Sequence, residues 1–464
     1  MIPLKASEIA EIVGGTLCGA DVTVTAAPTI DSRVATAGSL FIAFKGDHVD
    51  GHDYVGDAKS RGAVVTLAEH PVSEPYILVA ECVAALGKLA QEVRHRLSQL
   101  TVIGITGSQG KTTTKELLSS VLSQHAPTVA PQGNFNNQIG APLSLLHCDE
   151  KTRFCIVEMG ARHPGDIAHL CQIAAPNIGV VLRVGTAHIG EFGSQEAIAR
   201  TKSELISSLK PDAIAILGQY DPFTPKMAGL HQGKVISFGE SQNCEIRATD
   251  IEIREGRAHF DLVTPEGRTA IGLRIVGLHQ VANALAVAAV ATSLGFSLDQ
   301  IASGLATAES AAKWRMEISE LDSLILINDA YNASPEAMSA ALRTLVHFAQ
   351  ERGGESWAFL GKMHELGESS AQDHAAVGTL ASELSIDHLV CVAAPEYAGA
   401  IPAGSQTTVH QCADKFAAAQ LSSALHEGDV VLVKASRSEK LEELAQMITE
   451  QWNSKNGTQD GVRS

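Results

Sequence analysis

Apolar runs of strand length alternate with stretches of helical periodicity along most of this chain. In the middle of the sequence, the runs at residues 154–159, 178–184 and 213–217 adjoin stretches whose apolar residues recur at helical spacing. Because parallel strands need a crossover that is usually a helix, this alternation predicts a mostly parallel sheet covered by helices. The same pattern returns beyond residue 314 and predicts a second α/β domain.

Two segments depart from that pattern. Between residues 246 and 275, polar and apolar residues alternate one by one and Gly-containing turns separate the runs, which predicts an antiparallel insertion. The first 97 residues mix short strands with turns rich in Gly and Asp, and they close on a helical stretch at 82–97, which indicates a separate α/β unit. We therefore predict an α/β protein of three domains, at residues 1–98, 99–312 and 313–464.

Composition limits the classes of function. A chain of 464 residues is too long for one hydrophobic core. Its 52 acidic residues outnumber its 35 basic ones, and the resulting net charge of −17 argues against non-specific binding to nucleic acid or anionic membranes. An anionic substrate would therefore need a locally basic pocket.

The cysteines and the apolar content indicate the compartment. The eight cysteines are scattered without a C-x-x-C pair, as expected of reduced thiols rather than of a disulfide framework. The first residues lack a basic segment followed by an apolar core, and no run reaches the roughly 18 apolar residues of a membrane span. We expect a cytoplasmic protein without membrane insertion.

Residues 103–114 carry the most specific chemistry in the chain. A predicted strand leads into a loop with two glycines, and a helical stretch follows it. This is the layout of a phosphate-binding loop, in which backbone N–H groups and a helix N-terminus surround phosphate oxygens. Lys111 would reach the β- and γ-phosphates, and the Thr112 hydroxyl would bind Mg²⁺. The residues expected to contact a nucleotide are Gly107, Ser108, Gln109, Gly110, Lys111, Thr112 and Thr113.

The loop departs from the commonest spacing of such motifs. Ile105 stands where the pattern G-x-x-x-x-G-K-[ST] has its first glycine, so the chain has the shorter form T-G-x-x-G-K-T. A glycine-rich turn that contains a lysine by chance is the alternative. The order of strand, loop and helix disfavours that alternative.

Five further motifs are spaced along the chain. They are Asp31-Ser32-Arg33, Gly133-Asn134-Phe135-Asn136-Asn137, Glu158-Met159-Gly160, His188-Ile189-Gly190-Glu191 and Asp329-Ala330-Tyr331-Asn332-Ala333. Their order and spacing together are specific, although no single motif is, and with them the chain resembles the Mur ligases of bacterial peptidoglycan synthesis over nearly its whole length. The last of these motifs favours the branch that adds D-alanyl-D-alanine to UDP-N-acetylmuramoyl-tripeptide, because relatives tend to carry a His-rich version there.

The resemblance implies both an architecture and a reaction. The N-terminal α/β domain would bind the UDP-sugar, the central domain would resemble a P-loop ATPase, and the C-terminal α/β domain would be Rossmann-like. ATP would phosphorylate a carboxylate, and the amine of the dipeptide would displace phosphate from the acyl phosphate. The implied cofactors are ATP and Mg²⁺. The implied partners are UDP-N-acetylmuramoyl-tripeptide and D-alanyl-D-alanine, and the protein is expected to be a monomer.

The resemblance also implies the catalytic and metal-binding residues of the central domain. Thr112 and Glu158 would bind one Mg²⁺, and a carboxylate at a strand end suits the crevice where open α/β sheets bind ligands. His188 would bind a second Mg²⁺, although its chemistry alone favours a packed or surface histidine, because Mg²⁺ prefers oxygen. Lys202 aligns with a lysine that these ligases carry as a carbamate, which requires a neutral amine and hence burial. A lysine on a helix surface is the alternative.

Further nucleotide contacts would come from three residues that lie later in the chain. Asn283 would read the adenine edge, with a capping or locally packed amide as the alternative. Arg315 would approach the γ-phosphate and Asp329 would hold the ribose, so activity would require the third domain to close. Trp314 stands where the family commonly has Gly, which puts the local backbone in question.

The substrate-binding residues are expected on the resemblance alone. The UDP-sugar would be met by basic and hydrogen-bonding side chains of the first domain, for which ordinary surface residues are the alternative. The full set is Ser32, Arg33, Lys45, His52, Asn134, Asn137, Tyr331 and Asn332.

Two other functions stay open at this point. Another ligase of the superfamily, either a different Mur ligase or a folylpolyglutamate synthase type, would share the loop, Glu158 and Lys202. A P-loop switch protein would need only the loop. The Asp-Ala-Tyr-Asn-Ala motif and the uridine-type first domain count against the folate alternative.

Overall fold

The computed structural model describes residues 1–46, 49–130, 135–187, 189–309 and 313–457. The chain divides into two compact units. One unit comprises Met1–Arg183, Ala199–Phe238 and Ala286–Phe296, and the other comprises Val184–Ile198, Gly239–Leu285 and Ser297–Ser464.

The N-terminal part of the first unit is a small mixed α/β structure. Its strands are β1 (Leu4–Lys5), β2 (Thr16–Cys18), β3 (Thr23–Val24), β4 (Leu40–Ile42), β5 (Val65–Ala68) and β6 (Tyr76–Leu78). Its helices are α1 (Ala6–Val13), α2 (Val55–Ser60) and α3 (Cys82–Arg96). The main sheet has the order β2-β6-β5-β4, in which β4, β5 and β6 are parallel and β2 is antiparallel.

A parallel sheet forms the rest of the first unit. Its strands are β7 (Thr101–Thr106), β8 (Thr128–Val129), β9 (Phe154–Glu158), β10 (Ile178–Val181), β11 (Ile214–Gly218) and β12 (Lys234–Gly239), in the order β12-β11-β10-β7-β9-β8. Each neighbouring pair is parallel. The helices that follow the strands are α4 (Lys111–Ser123), α5 (Gly140–Leu146), α6 (Asp166–Ala174) and α8 (Gln195–Ser207). The short helix α7 (Ile189–Phe192) and the first residues of α8 belong to the second unit.

The predicted insertion consists of three antiparallel strands in the second unit. It comprises β13 (Ile246–Arg254), β14 (Arg257–Thr264) and β15 (Gly267–Val276). Along β14 every second residue is buried, which is the one-sided burial that the alternating sequence predicts. Two helices follow, α9 (Gln280–Ser293) and α10 (Leu298–Thr307), and the Ser297 and Gln300 side chains cap α10 reciprocally.

The C-terminal part of the second unit is a doubly covered sheet. Its strands are β16 (Glu317–Leu321), β17 (Leu324–Asn328), β18 (Ser356–Leu360), β19 (His388–Val392), β20 (Thr408–Cys412) and β21 (Val430–Lys434), in the order β16-β17-β21-β18-β19-β20. Only β16 is antiparallel to its neighbour. Its helices are α11 (Pro335–Arg352), α12 (Ser370–Glu383), α13 (Lys415–Ala419) and α14 (Glu442–Gly457).

Burial explains why the C-terminal sheet carries helices on both faces. Along β17, Ile325 and Ile327 belong to one hydrophobic core, while Leu324 and Leu326 belong to another. A strand that is apolar on both faces must be covered twice. The predicted α/β class, with mostly parallel sheets and an antiparallel insertion, is confirmed. Within the described residues, none of the helices combines the length and the apolar character that crossing a membrane requires.

Candidate active site

The loop between β7 and α4 has the backbone that a phosphate-binding loop needs. Gly110 lies at φ +83°, immediately before the first helical residue, Lys111. A Cβ at Gly107 would lie 3.0 Å from Leu182 Cβ and 3.1 Å from the Gln109 carbonyl oxygen. Both glycines therefore serve the geometry of the loop: Gly107 because a side chain has little space there, and Gly110 because its backbone is left-handed. The Nζ of Lys111 donates a hydrogen bond to the Gly107 carbonyl oxygen at 2.6 Å.

A buried carboxylate lies beside the start of α4. Glu158 is the last residue of β9, pairs in register with Ile105 of β7, and is 2% exposed. Its Oε2 accepts a hydrogen bond from the Thr112 hydroxyl at 3.0 Å. The structure thus brings together the two residues predicted to share a metal ion. A hydroxyl and a carboxylate are hard oxygen donors that suit Mg²⁺, so these residues fit the implied ion.

Two residues that the sequence analysis did not select also surround this carboxylate. Lys115 is 2% exposed, and its Nζ lies 3.9 Å from Glu158 Oε2. Asn136 Nδ2 donates to Glu158 Oε1 at 2.9 Å. Lys115 could have been predicted, because residues i and i+4 share one helix face and Lys115 lies four residues after Lys111. Asn136 offered no such signal beyond its asparagine-rich surroundings.

Lys202 is buried, so the alternative of a surface lysine on a helix is wrong. It lies in α8 and is 8% exposed. Burial lowers the pKa of its amine well below the ordinary lysine value, and the nearby charge of Lys111 lowers that pKa further. The amine is therefore biased toward the neutral form that reacts with CO₂.

A second charged centre lies in the C-terminal sheet, where Lys434 ends β21. This lysine is 2% exposed, and its Nζ lies 2.6 Å from Asp329 Oδ2 and 2.8 Å from the Asn332 carbonyl oxygen. Asp329 Oδ1 accepts a hydrogen bond from the Met316 backbone N–H at 3.1 Å. Both carboxylate oxygens of Asp329 therefore have partners within the protein. Lys434 was not among the predicted site residues.

Two cation–π contacts organise the residues around Arg315. The Arg315 guanidinium lies 3.8 Å from the centre of the Tyr331 ring, and that of Arg437 lies 4.2 Å from the Trp314 ring. The Tyr331 N–H donates to the Trp314 carbonyl oxygen at 3.0 Å. Trp314 has φ +60°, so this chain retains the left-handed backbone that a glycine would adopt without strain.

Two predicted asparagines make local hydrogen bonds. Asn283, which is 6% exposed, donates through Nδ2 to Gln280 Oε1 at 2.7 Å, as the alternative of a locally packed amide expects. Asn137 Oδ1 accepts from the backbone N–H groups of Ile139 and Gly140 at 3.1 and 2.9 Å, and so it fixes the entry into α5. The adenine and substrate contacts of these residues stay predictions.

The N-terminal candidates differ in how strongly the fold engages them. Arg33 is exposed and forms a bidentate ion pair with Asp31, and this pair lowers the pKa of the Asp31 carboxyl. His52 is 8% exposed, its Nδ1 lies 2.6 Å from Asp50 Oδ1, and its Nε2 accepts the Glu69 N–H at 3.0 Å. Both ring nitrogens of His52 therefore serve the fold, which favours a structural role over a substrate contact.

Three family models match successive parts of the chain. They are the Mur ligase family catalytic domain at residues 27–101, the Mur ligase middle domain at 105–291, and the Mur ligase glutamate ligase domain at 314–437. The chain is also 38% identical to the UDP-N-acetylmuramoyl-tripeptide–D-alanyl-D-alanine ligase of Mycobacterium tuberculosis (strain ATCC 25618 / H37Rv), over 97% of this chain and 98% of that one. The chain belongs to the Mur ligase family.

Solved structures of Mur ligases are similar over the same length. A structure of MurF from Acinetobacter baumannii has a TM-score of 0.87 at 33% identity and covers 97% of this chain and 99% of that one. MurF from Thermotoga maritima, in complex with ADP, has a TM-score of 0.81 at 32% identity, with coverages of 93% and 99%. The predicted membership of the Mur ligases is therefore confirmed.

The remaining predicted residues of this Mur ligase are placed less fully. His188 and Asn134 lie outside the described residues. Ser32 is buried, whereas Lys45 is exposed and forms a backbone bridge with Asp50. The Asn332 Oδ1 accepts from the Ala333 N–H at 2.8 Å.

Proposed function

We propose that the protein is an ATP-dependent ligase that joins D-alanyl-D-alanine to UDP-N-acetylmuramoyl-tripeptide, a cytoplasmic step in peptidoglycan precursor synthesis. The observation that carries the proposal is the phosphate-loop centre, in which Thr112 and the buried Glu158 lie 3.0 Å apart. Near-full-length similarity to ligases of that name supports the choice of substrates. We propose three domains, at residues 1–98, 99–312 and 313–464, and a monomeric state.

The chemistry joins a carboxylate to an amine, so anionic groups must be brought together. The loop N–H groups and the start of α4 receive the ATP phosphates, and Lys111 exchanges its contact with Gly107 for the β- and γ-phosphates. Thr112 and Glu158 would hold one Mg²⁺, and His188 would contribute to a second ion. Bound there, the ions would supply positive charge that offsets the charge of the phosphates during phosphoryl transfer to the peptide carboxylate.

Lys202 supplies a further anion in this proposal. Its neutral amine adds to CO₂, forming the N–C bond of a carbamate and releasing one proton. The burial that lowers the pKa of this amine supports the assignment, because only the unprotonated form has a lone pair to donate.

The C-terminal residues complete the nucleotide and dipeptide sites. Arg315 approaches the γ-phosphate, Asp329 lies by the ribose, and Asn283 reads the adenine. Tyr331 and Asn332 lie near ATP or the incoming dipeptide. The UDP-sugar and tripeptide are met by Ser32, Arg33, Lys45, Asn134 and Asn137, whereas His52 supports this region through its contacts with Asp50 and Glu69.

A phosphate-release assay tests the proposal directly. Release from ATP should require both UDP-N-acetylmuramoyl-tripeptide and D-alanyl-D-alanine, and Lys111→Ala should reduce it by about 10³-fold. Turnover with folate and glutamate instead would favour the other branch of the superfamily. Turnover without any acceptor would favour a nucleotide switch, and near-normal activity of Lys111→Ala would remove the phosphate-loop assignment.

A further inference from the structure

The stretch Val184–Ile198 lies in the same compact unit as the C-terminal residues, although it follows β10 of the parallel sheet. One attachment within this unit runs through Thr186. Its backbone N–H and its hydroxyl both donate to Oε1 of Glu336, at 2.8 and 2.9 Å. One carboxylate oxygen therefore fixes both the backbone and the side chain of Thr186.

The position of Glu336 in its helix suits this role. Ser334 caps α11 by accepting the Ala337 N–H, and Pro335 is the first helical residue, so Glu336 lies in the first turn. The partial positive charge of a helix N-terminus favours a carboxylate there. Hydrogen bonds to a carboxylate are stronger than those between neutral groups.

A second attachment holds the same stretch four residues later. The Gly190 N–H donates to the Glu365 carbonyl oxygen at 3.0 Å. A Cβ at Gly190 would lie 2.7 Å from the Gly367 nitrogen and 2.9 Å from that carbonyl oxygen, so a side chain has no space there. The two backbones approach each other closely at this point.

The loop that presents the Glu365 carbonyl is itself firmly held. The buried Tyr397 hydroxyl donates to the Gly361 carbonyl oxygen at 2.8 Å, and the Met363 N–H donates to Nε2 of the buried His374 at 2.9 Å. The His364 N–H donates to the Ser436 hydroxyl at 2.9 Å. Residues 361–367 therefore form a fixed support rather than a free loop.

We infer that Glu336 is a positioning residue for the catalytic step. It joins Thr186 to the helix that begins directly after the Asp329–Ala333 motif, so ATP contacts at residues 329–332 are linked to the 186–190 stretch. His188 lies between the two attachments in the sequence. This inference rests on the proposed ligase function and deepens it, since it names a residue that acts through others and does not touch the substrates.

Hydrogen exchange of the protein without substrates tests the contact separately from the activity. In Glu336→Ala the Thr186 amide should exchange about tenfold faster, as the loss of a hydrogen bond to a charged group implies. The Gly190 amide, which has its own acceptor, should change by no more than about twofold. Glu336→Gln keeps an acceptor, so its Thr186 exchange rate should lie between those of the wild type and Glu336→Ala. Glu383→Ala, at an exposed carboxylate of α12, is the matched control. Unchanged exchange at Thr186 in Glu336→Ala would overturn the inference.

Ligase kinetics then test the role. Glu336→Ala should lower kcat by about tenfold while the KM for the UDP-tripeptide stays within about twofold, and Glu336→Gln should recover part of the loss. Thr186→Val removes the hydroxyl bond alone and should lower kcat less, and adding it to Glu336→Ala should have no further effect. Additive losses, or a rise in KM with unchanged kcat, would overturn the positioning role. Failure of the wild-type protein to turn over both substrates would instead count against the proposed function and leave the exchange result standing.

Discussion

Two carboxylates at strand ends of parallel sheets, the buried Glu158 and the partly buried Asp329, have different electrostatic surroundings. Glu158 accepts hydrogen bonds from Thr112 and Asn136, and the ammonium of Lys115 is 3.9 Å away, beyond hydrogen-bonding distance. Asp329 is in direct contact with the ammonium of Lys434 at 2.6 Å. The first carboxylate has its internal cation only at this longer distance and so retains the capacity to bind another, whereas the second is already in direct contact with its cation. The difference separates a carboxylate that can bind a metal ion from one whose charge is already paired directly with a lysine.

The largest effect that this comparison predicts follows from removing the Glu158 charge. Glu158→Gln should reduce phosphate release by about 10³-fold, because it removes a ligand that the chain offers to Mg²⁺. The Mg²⁺ concentration for half-maximal activity should rise in the same variant. Asp329→Asn should leave that concentration within about twofold, and an equal rise in both variants would remove the distinction between the two carboxylates.

The second prediction concerns the ion pair between Asp329 and Lys434. Lys434→Met leaves the Asp329 carboxylate without its cation in a largely buried place, which should lower the free energy of unfolding by about 3 kcal/mol. Urea denaturation followed by circular dichroism measures this change. Lys234→Met, at an exposed residue of β12, is the control and should change the free energy by less than about 0.5 kcal/mol. A small effect of Lys434→Met would mean that the ion pair does not hold the 329–332 loop.

The sequence predicted these two centres unequally. Most of the phosphate-loop centre lies within one contiguous motif, so Lys111 and Thr112 could be assigned from their spacing. Glu158 could be assigned because it belongs to a family motif at a predicted strand end. The pairing of Asp329 with Lys434 depends on strands far apart in the sequence. Asn328 of β17 lies opposite Val433 of β21, and this register places the next residue of each strand together. Nothing local in the sequence specifies such a register, because several buried parallel strands have similar apolar composition.

A third prediction uses the buried amine of Lys202. Because its pKa is lowered on folding, the unfolded chain binds more protons between that lowered pKa and the ordinary value of 10.5. The free energy of unfolding should therefore rise with pH through this window. Below the window the amine is charged in the folded state as well, so the cost of burying that charge is largest there. Lys202→Met should be more stable than the wild type at the low end of the window, and the advantage should shrink toward pH 10.5. Denaturation in CO₂-free buffer across this range measures it, and a difference that is constant with pH would contradict it.

The smallest expected effect concerns how the two centres obtain a left-handed backbone. The phosphate loop has Gly110 at φ +83°, whereas the C-terminal centre has Trp314 at φ +60°, held by stacking on Arg437. Trp314→Gly loses the stacking but removes the strain, so the free energy of unfolding should change by less than about 1 kcal/mol. Trp314→Ala loses the stacking and keeps the strain, so it should be less stable than Trp314→Gly by about 1 kcal/mol. Thermal denaturation of the two variants measures that difference. Equal stabilities would mean that the backbone at residue 314 leaves the left-handed region once the tryptophan is removed, so that the stacking on Arg437 alone maintains the conformation.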